Sequence, residues 1–423
     1  METEKILILK GNIISAPGFG RLELVENGYL VAEDGNITGV FKSLPDRFDG
    51  AHVTDCGSAI IMQSFCDMHL HAPQYPLLGL GLDMQLMEWL DTYTYPTEAK
   101  FKDTEYAKRV FEAFAQDLIG GGTTRVSVFS SVHNEATYAL TEALSRLHVA
   151  GYIGKVNMDR SCPDSIREDT AASLRATEEW LERALPNKTL RPIITPRFVP
   201  VCSDELLSGL GHIAYRCGLP VQSHLSENIK EIALVRELCP ETYGYWHAYE
   251  RHGLLRRGSL MAHCVYSDLR ERNALKENGV WAVHCPCSNM DLSSGIMPVR
   301  RFVYEGVNVC MGSDIAGGAD LFMPGVIKAA VRMSKLNWIA TAQSEPILSI
   351  AEAYYLATTA GAKCLGAGAG FAPGDPLHCI VVDDSRISAA DEGRPLGERF
   401  ERLMYRMQPA DIIAVWAEGY RVK

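Results

Sequence analysis

The sequence lacks any run of about 18 consecutive apolar residues, the length that a membrane-spanning helix requires. It also lacks the beginning of a secretory signal peptide, which combines basic residues with a longer apolar core. The first residues, 1–5, include two glutamates and lead directly into the short apolar run 6–9. We therefore expect a cytoplasmic protein with no membrane partner.

Positive charge is scarce. The chain has 41 lysines and arginines against 52 aspartates and glutamates, a formal net charge of −11. Proteins that bind nucleic acids usually present a basic surface to the phosphates. We therefore expect no nucleic-acid partner.

Paired cysteine motifs are missing as well. None of the 12 cysteines forms a CxxC pair, and most lie in apolar runs, which indicates buried reduced thiols rather than disulfides or zinc knuckles. His133-Asn134-Glu135 matches the HxE motif of one class of zinc deaminases. The PCxxC motif that should follow is absent from the chain, which excludes that fold.

The pattern of apolar residues changes along the chain. Both ends contain short β-like runs, and residues 31–37 are typical of a hairpin turn. Between the ends, strands alternate with amphipathic helices, which indicates a parallel α/β fold. We predict a (β/α)8 TIM-like barrel over 63–368, with a small flanking β domain built from 1–62 and 369–423. The eight predicted barrel strands are 59–66, 125–129, 150–157, 191–196, 220–224, 259–263, 279–284 and 307–312.

Polar residues recur where these strands end, which is where barrel enzymes place their catalytic groups. Because residues i and i+2 of a strand point to the same face, His69 and His71 can share one ligand. An HxH pair alone is weak evidence in a chain with 12 histidines. Four strands end in histidine and one in aspartate, however, and packing alone does not explain that number. The residues at the strand ends are His69, His71, Arg197, His224, His263, His284 and Asp314.

Three imidazoles and one carboxylate suit a divalent ion such as Zn²⁺ and leave a position open for water. A metal-bound water loses a proton near neutral pH and becomes a nucleophile. Iron tolerates the same ligands. Two-metal barrels often bridge their ions with a modified lysine on the fourth strand, whereas this strand ends in Arg197. We therefore expect one metal ion per chain.

Over nearly its whole length, the chain resembles the amidohydrolase superfamily and, within it, the guanine deaminases. The superfamily features are His69-Leu70-His71, His224, His263 and Asp314, which occur in this order between flanking β segments. The narrower motifs are His71–Tyr75, Glu88–Leu90 with Tyr93–Pro96, Pro196–Phe198, His224–Asn228 and His284–Asn289. Two departures are Gln63-Ser64-Phe65, where Pro-Gly-Phe is usual, and Ser313, where threonine is common. Neither departure removes a ligand.

The resemblance implies a role for each residue of the site. Glu227 would carry a proton from water to a ring nitrogen, and His263 would orient the water. Trp89 would form a wall of the pocket, although a core aromatic residue on a helix is an equal alternative. His284 is expected beside the metal ligands. The implied metal ligands are His69, His71, His224 and Asp314. The implied catalytic residues are Glu227, His263 and Asp314. The implied substrate-binding residues are Gln74, Trp89, Arg197, Phe198, His224, Glu227 and Asp314.

The implied function is zinc-dependent hydrolytic deamination of guanine to xanthine and ammonia by a metal-bound hydroxide, a step of purine catabolism. One alternative is deamination of a related ring, such as 8-oxoguanine, a pterin or a triazine. Another is a non-catalytic scaffold with the same fold, which would be expected to lose the ligands that this chain retains. The implied partners are a small purine base and a second copy of the chain in a homodimer.

Overall fold

The computed structural model describes residues 4–388 and 393–423, which form a mixed α/β fold. The strands are β1 (Ile6–Gly18), β2 (Arg21–Glu33), β3 (Asn36–Phe41), β4 (Thr54–Gln63), β5 (Phe65–His71), β6 (Thr123–Phe129), β7 (Ala150–Gly154), β8 (Val156–Asn157), β9 (Leu190–Pro192), β10 (Thr195–Pro196), β11 (Gln222–Leu225), β12 (Leu260–His263), β13 (Trp281–His284), β14 (Asn308–Met311), β15 (Cys379–Val382), β16 (Ile412–Ala417) and β17 (Tyr420–Arg421).

The helices lie mainly between the strands of the middle of the chain. They are α1 (Leu86–Trp89), α2 (Tyr95–Glu98), α3 (Thr104–Gly120), α4 (Asn134–Arg146), α5 (Thr170–Ala184), α6 (Asp204–Cys217), α7 (Ile229–Leu238), α8 (Tyr245–Glu250), α9 (Leu269–Glu277), α10 (Pro286–Asp291), α11 (Val299–Glu305), α12 (Met323–Ala340), α13 (Ile350–Tyr355), α14 (Gly361–Cys364), α15 (Ser385–Ser388) and α16 (Leu396–Arg406). Several begin at a polar cap. The Asp103 carboxylate, for example, accepts hydrogen bonds from the first backbone N–H groups of α3.

Strands from both ends of the chain form one seven-stranded sheet, in the order β17-β16-β15-β4-β1-β2-β3. The predicted hairpin turn is confirmed, because Glu33 and Asn36 face each other across β2 and β3. Asp34 and Gly35 between them have φ angles of 48° and 80°. Positive φ at both central residues gives the turn the twist of the flanking strands.

The middle of the chain forms parallel strands that are buried on both faces, as expected for a sheet covered by helices. One group has the order β5-β6-β7-β9, a second pairs β10 with β8, and a third has the order β11-β12-β13-β14. A parallel bridge between Ile194 and Val221 connects the first half to the second.

The first barrel strand predicted over 59–66 is wrong. Residues up to Gln63 belong to β4 of the seven-stranded sheet, and β5 begins at Phe65 and carries both histidines of the HxH pair within it. The pattern of apolar residues does not show where β4 ends and β5 begins, because only Ser64 separates the two strands. The Gln63 side chain is buried at the junction, where it accepts a hydrogen bond from the Ala16 N–H group at 2.8 Å.

Hydrogen bonds place the end of β14 beside β5. The Asp314 N–H group donates to the His69 carbonyl at 2.8 Å, and the His71 N–H group donates to the Ile315 carbonyl at 3.1 Å.

All 12 cysteines are free thiols, and most of them are buried. Within 4–388 and 393–423, the helices are too short or too polar to cross a membrane.

Candidate active site and metal centre

Four histidines and one aspartate, contributed by four strands or the residues just after them, meet at the carboxyl ends of the parallel strands. The Asp314 Oδ1 atom lies 3.2 Å from His69 Nε2 and 3.4 Å from His71 Nε2. His71 Nε2 lies 3.1 Å from His224 Nε2. On the other side of the carboxylate, His263 Nε2 lies 3.6 Å from Asp314 Oδ2. The fold therefore brings together residues separated by up to 245 positions in the sequence.

This cluster has the composition and spacing of a metal centre. His69, His224, His263 and Asp314 each offer a possible ligand atom, and these atoms lie within 4.8 Å of one another. His71 adjoins this group through its contacts with His224 and Asp314. The buried Nε2 atoms of His69 and His263 make no hydrogen bond in the described structure. Buried nitrogen atoms usually have a partner, and a metal ion would supply one.

The protonation states also suit a cation. Burial lowers the pKa of His71 and His224 well below the usual range, and the neighbouring His69 lowers both further. Burial alone would raise the pKa of Asp314, but His69 and His263 hold it well below its usual range. Neutral imidazoles and an ionised carboxylate are the forms that bind metals.

Hydrogen bonds behind the cluster fix the orientation of its members. His224 Nδ1 lies 2.6 Å from the Arg197 carbonyl oxygen, which requires Nδ1 to donate and leaves Nε2 to face the cluster. The buried Asp67 carboxylate accepts hydrogen bonds from the backbone and side chain of Ser313 at 2.9 and 2.5 Å. Burial raises the pKa of Asp67 to about 7. Asp67 holds the residue that precedes Asp314, and the sequence motifs did not identify it.

Glu227 lies between β11 and α7, and its carboxylate faces the cluster. Glu227 Oε2 is 3.4 Å from His263 Nε2, and Glu227 Oε1 accepts a hydrogen bond from the Ser294 hydroxyl at 2.9 Å. Burial raises the pKa of Glu227 above its usual range. Asn228, and not Glu227, caps α7. Glu227 therefore has no capping role that would explain its position.

His263 and His284 differ in their surroundings. His263 Nδ1 lies 2.8 Å from Asn289 Oδ1, so Nδ1 donates and Nε2 faces Glu227 and Asp314. His284 is fully buried, and neither of its ring nitrogens has a hydrogen-bond partner in the described structure. Burial lowers its pKa to about 3. His284 is not in the group that could hold a metal ion.

All seven predicted substrate-binding residues line one cavity next to the cluster. Trp89 is 2% exposed and its indole N–H group donates to the Leu80 carbonyl at 3.0 Å, so it is a fixed wall. The lining residues are His71, Gln74, Leu86, Trp89, Leu90, Arg197, Phe198, His224, Glu227, His263, Leu292, Asp314 and Gly317.

Glu98 connects two of these residues and was not identified in the sequence. Its Oε2 atom accepts a hydrogen bond from Arg197 Nη1 at 2.5 Å, and its Oε1 atom accepts one from Gln74 Nε2 at 2.9 Å. Gln74 Oε1 in turn accepts from the Ala316 N–H group at 3.2 Å. The only available signal was the position of Glu98 two residues after the motif that ends at Pro96.

Comparisons with known proteins identify the family of the chain. The amidohydrolase family model matches residues 60–422. A guanine deaminase of Dictyostelium discoideum is 32% identical, with 100% of each chain covered. The crystal structure of guanine deaminase from C. acetobutylicum with bound guanine in the active site has a TM-score of 0.96 and 40% identity, covering 99% of this chain and 100% of that chain. The E. coli guanine deaminase structure has a TM-score of 0.91 and 30% identity, covering 99% of each chain. The chain therefore belongs to the amidohydrolase family, in which it groups with the guanine deaminases.

Proposed function

We propose that the protein catalyses the hydrolytic deamination of guanine to xanthine and ammonia. The observation that carries this proposal is the arrangement of the cavity. One side holds the neutral imidazoles, Asp314 and Glu227, and the cavity is also lined by Arg197 and Gln74, which offer hydrogen bonds to a purine edge. The solved relative that contains guanine in its active site supports the same substrate.

The residues present fit a single zinc ion held by His69, His71, His224 and Asp314. Ligand atoms about 2.1 Å from a tetrahedral zinc ion lie roughly 3.4 Å apart. Three separations between these residues, those of the pairs His71–His224, His69–Asp314 and His71–Asp314, are 3.1, 3.2 and 3.4 Å, close to that value. When bound, zinc supplies the Lewis acidity that makes water a nucleophile near neutral pH.

The protein's own residues perform the proton transfers and hold the substrate. Glu227 takes a proton from the attacking water and delivers it to the ring nitrogen beside the reacting carbon. Asp314 accepts a hydrogen bond from the same water. Although burial opposes it, Glu227 and Asp314 raise the pKa of His263, so His263 can carry a proton on both ring nitrogens and donate from Nε2 to the oxygen that gains negative charge. Arg197 donates to the ring carbonyl, and Gln74 with the Phe198 backbone holds the ring edge. Trp89 excludes solvent from one side.

The substrate is tested by measuring ammonia release from guanine, 8-oxoguanine, pterins and triazines under identical conditions. We expect the highest kcat/KM for guanine. A higher value for a pterin or a triazine would reassign the substrate while leaving the reaction type in place. Absence of ammonia release from every ring would favour the scaffold alternative.

For the metal, we expect one equivalent of zinc per chain in protein purified without added metal. The reason is that three imidazoles and one carboxylate suit one ion, and a second ion would need a bridging lysine beside them. The residue that follows β10 is Arg197 instead. Elemental analysis by mass spectrometry measures both identity and number. Two equivalents would contradict the one-metal site, and one equivalent of iron would change only the identity of the ion.

We further propose that the parallel strands close into a (β/α)8 barrel. The hydrogen bonds of Asp314 and His71 to the opposite strand end support closure between β14 and β5, and the Ile194–Val221 bridge supports continuity in the middle. The domain division at 62/63 and 368/369 is part of the same proposal, with the seven-stranded sheet as the flanking β domain.

The oligomeric state and the cellular location of the protein are also proposals. We propose a homodimer, because the resemblance to guanine deaminases implies it, and we also propose a cytoplasmic location. Sedimentation equilibrium is expected to give a mass near twice 46.7 kDa. A mass near that of a single chain across the concentrations tested would reject the dimer.

A further inference from the structure

Glu98 is a shared anchor for two residues proposed to contact the substrate. It lies at the end of α2 and is 8% exposed. One carboxylate oxygen holds Arg197 and the other holds Gln74. Each anchored side chain retains further hydrogen-bonding groups, because a guanidinium has five N–H donors and a primary amide has two. Glu98 thus fixes the direction of those remaining groups.

Glu98 also balances a buried positive charge. The side chains of Arg197 and Glu98 are 3% and 10% exposed. The Arg197 guanidinium lies 5.4 Å from the centre of the Tyr95 ring, which adds a weaker favourable contact. An isolated buried cation is strongly unfavourable and attracts any available anion. With Glu98 ionised, this wall of the cavity carries no net charge.

Two other titratable groups near the pair, Tyr95 and Cys162, stay in their neutral, protonated forms. Burial raises the pKa of Tyr95 and raises the pKa of Cys162 to about 11. His69 and His71 also lie within range of the Arg197 charge. The remaining ionisable groups of the cavity are His224, Glu227, His263 and Asp314.

Resting on the proposed function, we infer that Glu98 is a positioning residue that makes the site selective for a neutral purine and favours release of an anionic product. Xanthine has a second ring carbonyl where guanine has its amino group, and its ring N–H groups are therefore more acidic than those of guanine. An unpaired Arg197 would hold the xanthine anion. The carboxylate of Glu98 cancels that attraction and leaves the neutral ring as the preferred ligand.

The test measures the Kd of xanthine by calorimetry at pH 6 and pH 8.5 with the metal-loaded protein. Hypoxanthine, which is less acidic than xanthine and stays mostly neutral over this range, is measured in parallel, so that the ratio of the two Kd values removes the titration of the protein itself. For the wild type we expect the ratio of xanthine to hypoxanthine Kd to rise with pH. A ratio that falls with pH in the wild type would overturn the inference.

The Glu98→Gln variant should reverse this dependence, because it leaves the Arg197 charge unbalanced. We expect xanthine to bind on the order of tenfold more tightly, relative to hypoxanthine, at pH 8.5 than at pH 6. In the double variant Glu98→Gln/Arg197→Gln the tightening should disappear. An unchanged profile in a folded Glu98→Gln variant would reject the charge-balancing role. If that variant does not fold, the inference is tested by the pH dependence of the wild-type ratio of xanthine to hypoxanthine Kd alone.

A matched control is Glu178→Gln, which removes one carboxylate from the exposed ion pair with Arg216. Its ratios of xanthine to hypoxanthine Kd at pH 6 and pH 8.5 should equal those of the wild type. Steady-state kinetics separate anchoring from general stability, because Glu98→Gln should raise the KM for guanine more than it lowers kcat. Guanine turnover by the wild type tests the proposed function independently, since the calorimetric ratios require no turnover.

Discussion

Replacing Glu227 by glutamine is expected to lower kcat by roughly 10²–10⁴-fold. Attack on an aromatic carbon that bears an amine requires a proton on the adjacent ring nitrogen, because negative charge otherwise accumulates in the ring. A carboxylate between the water and the ring can accept that proton and pass it on, whereas an amide of the same shape cannot. The raised pKa of Glu227, caused by burial, favours an exchange of protons near neutral pH.

The measurement combines kcat for guanine with the metal content of the same preparation. The metal content should not change, because Glu227 is not one of the predicted metal ligands. A suitable control is Glu352→Gln, since Glu352 is also buried but lies on α13, where glutamine can keep the capping contact with Ser349. That control should retain nearly normal kcat. A Glu227→Gln variant with more than about a tenth of the wild-type kcat would mean that Glu227 is not the proton shuttle.

Guanine is expected to react at least about 10⁴-fold more efficiently than adenine. Arg197 has only donors, so it pairs with a ring carbonyl and opposes an amino group at the same position. The hydrogen bond to Glu98 prevents the buried guanidinium from turning away from the cavity. The comparison is made as kcat/KM for ammonia release from each base. Appreciable deamination of adenine by the wild type would contradict the assignment of Arg197.

Variants of Arg197 extend this comparison. Glutamine at this position can both accept and donate, so Arg197→Gln should lower kcat/KM for guanine and narrow the difference between the two bases. Arg191→Gln is the matched control, because Arg191 lies outside the cavity and donates to the Leu365 carbonyl. The control should preserve the discrimination. Equal discrimination in both variants would show that another group distinguishes the bases.

The sequence allowed the strand-end residues to be predicted because their signal is local. A polar residue at the end of an apolar run is visible without knowledge of the fold, and six strands shared this feature. His69, His224 and Asp314 meet in the structure because parallel strands bring their carboxyl ends to one side.

The residues that support the site could not be predicted in the same way. Glu98 acts through Arg197, which is 99 residues away, and Asp67 acts through Ser313, which is 246 residues away. A lone acidic residue has no periodic pattern, and its partner is defined only by the folded chain. The division between β4 and β5 could not be predicted because the apolar end of β4 is followed almost directly by the apolar start of β5, and Ser64 alone separates the two strands.

The seven-stranded sheet has a consequence for synthesis on the ribosome. Strand β4 pairs with β1 on one side and with β15 on the other, where Ile60 faces Val382. The β15 partner is translated more than 300 residues after β4. Until then one edge of β4 has unpaired backbone groups, and such edges pair readily with other chains. We therefore expect nascent chains stalled before residue 379 to require a chaperone, and release of the full-length chain to end that requirement.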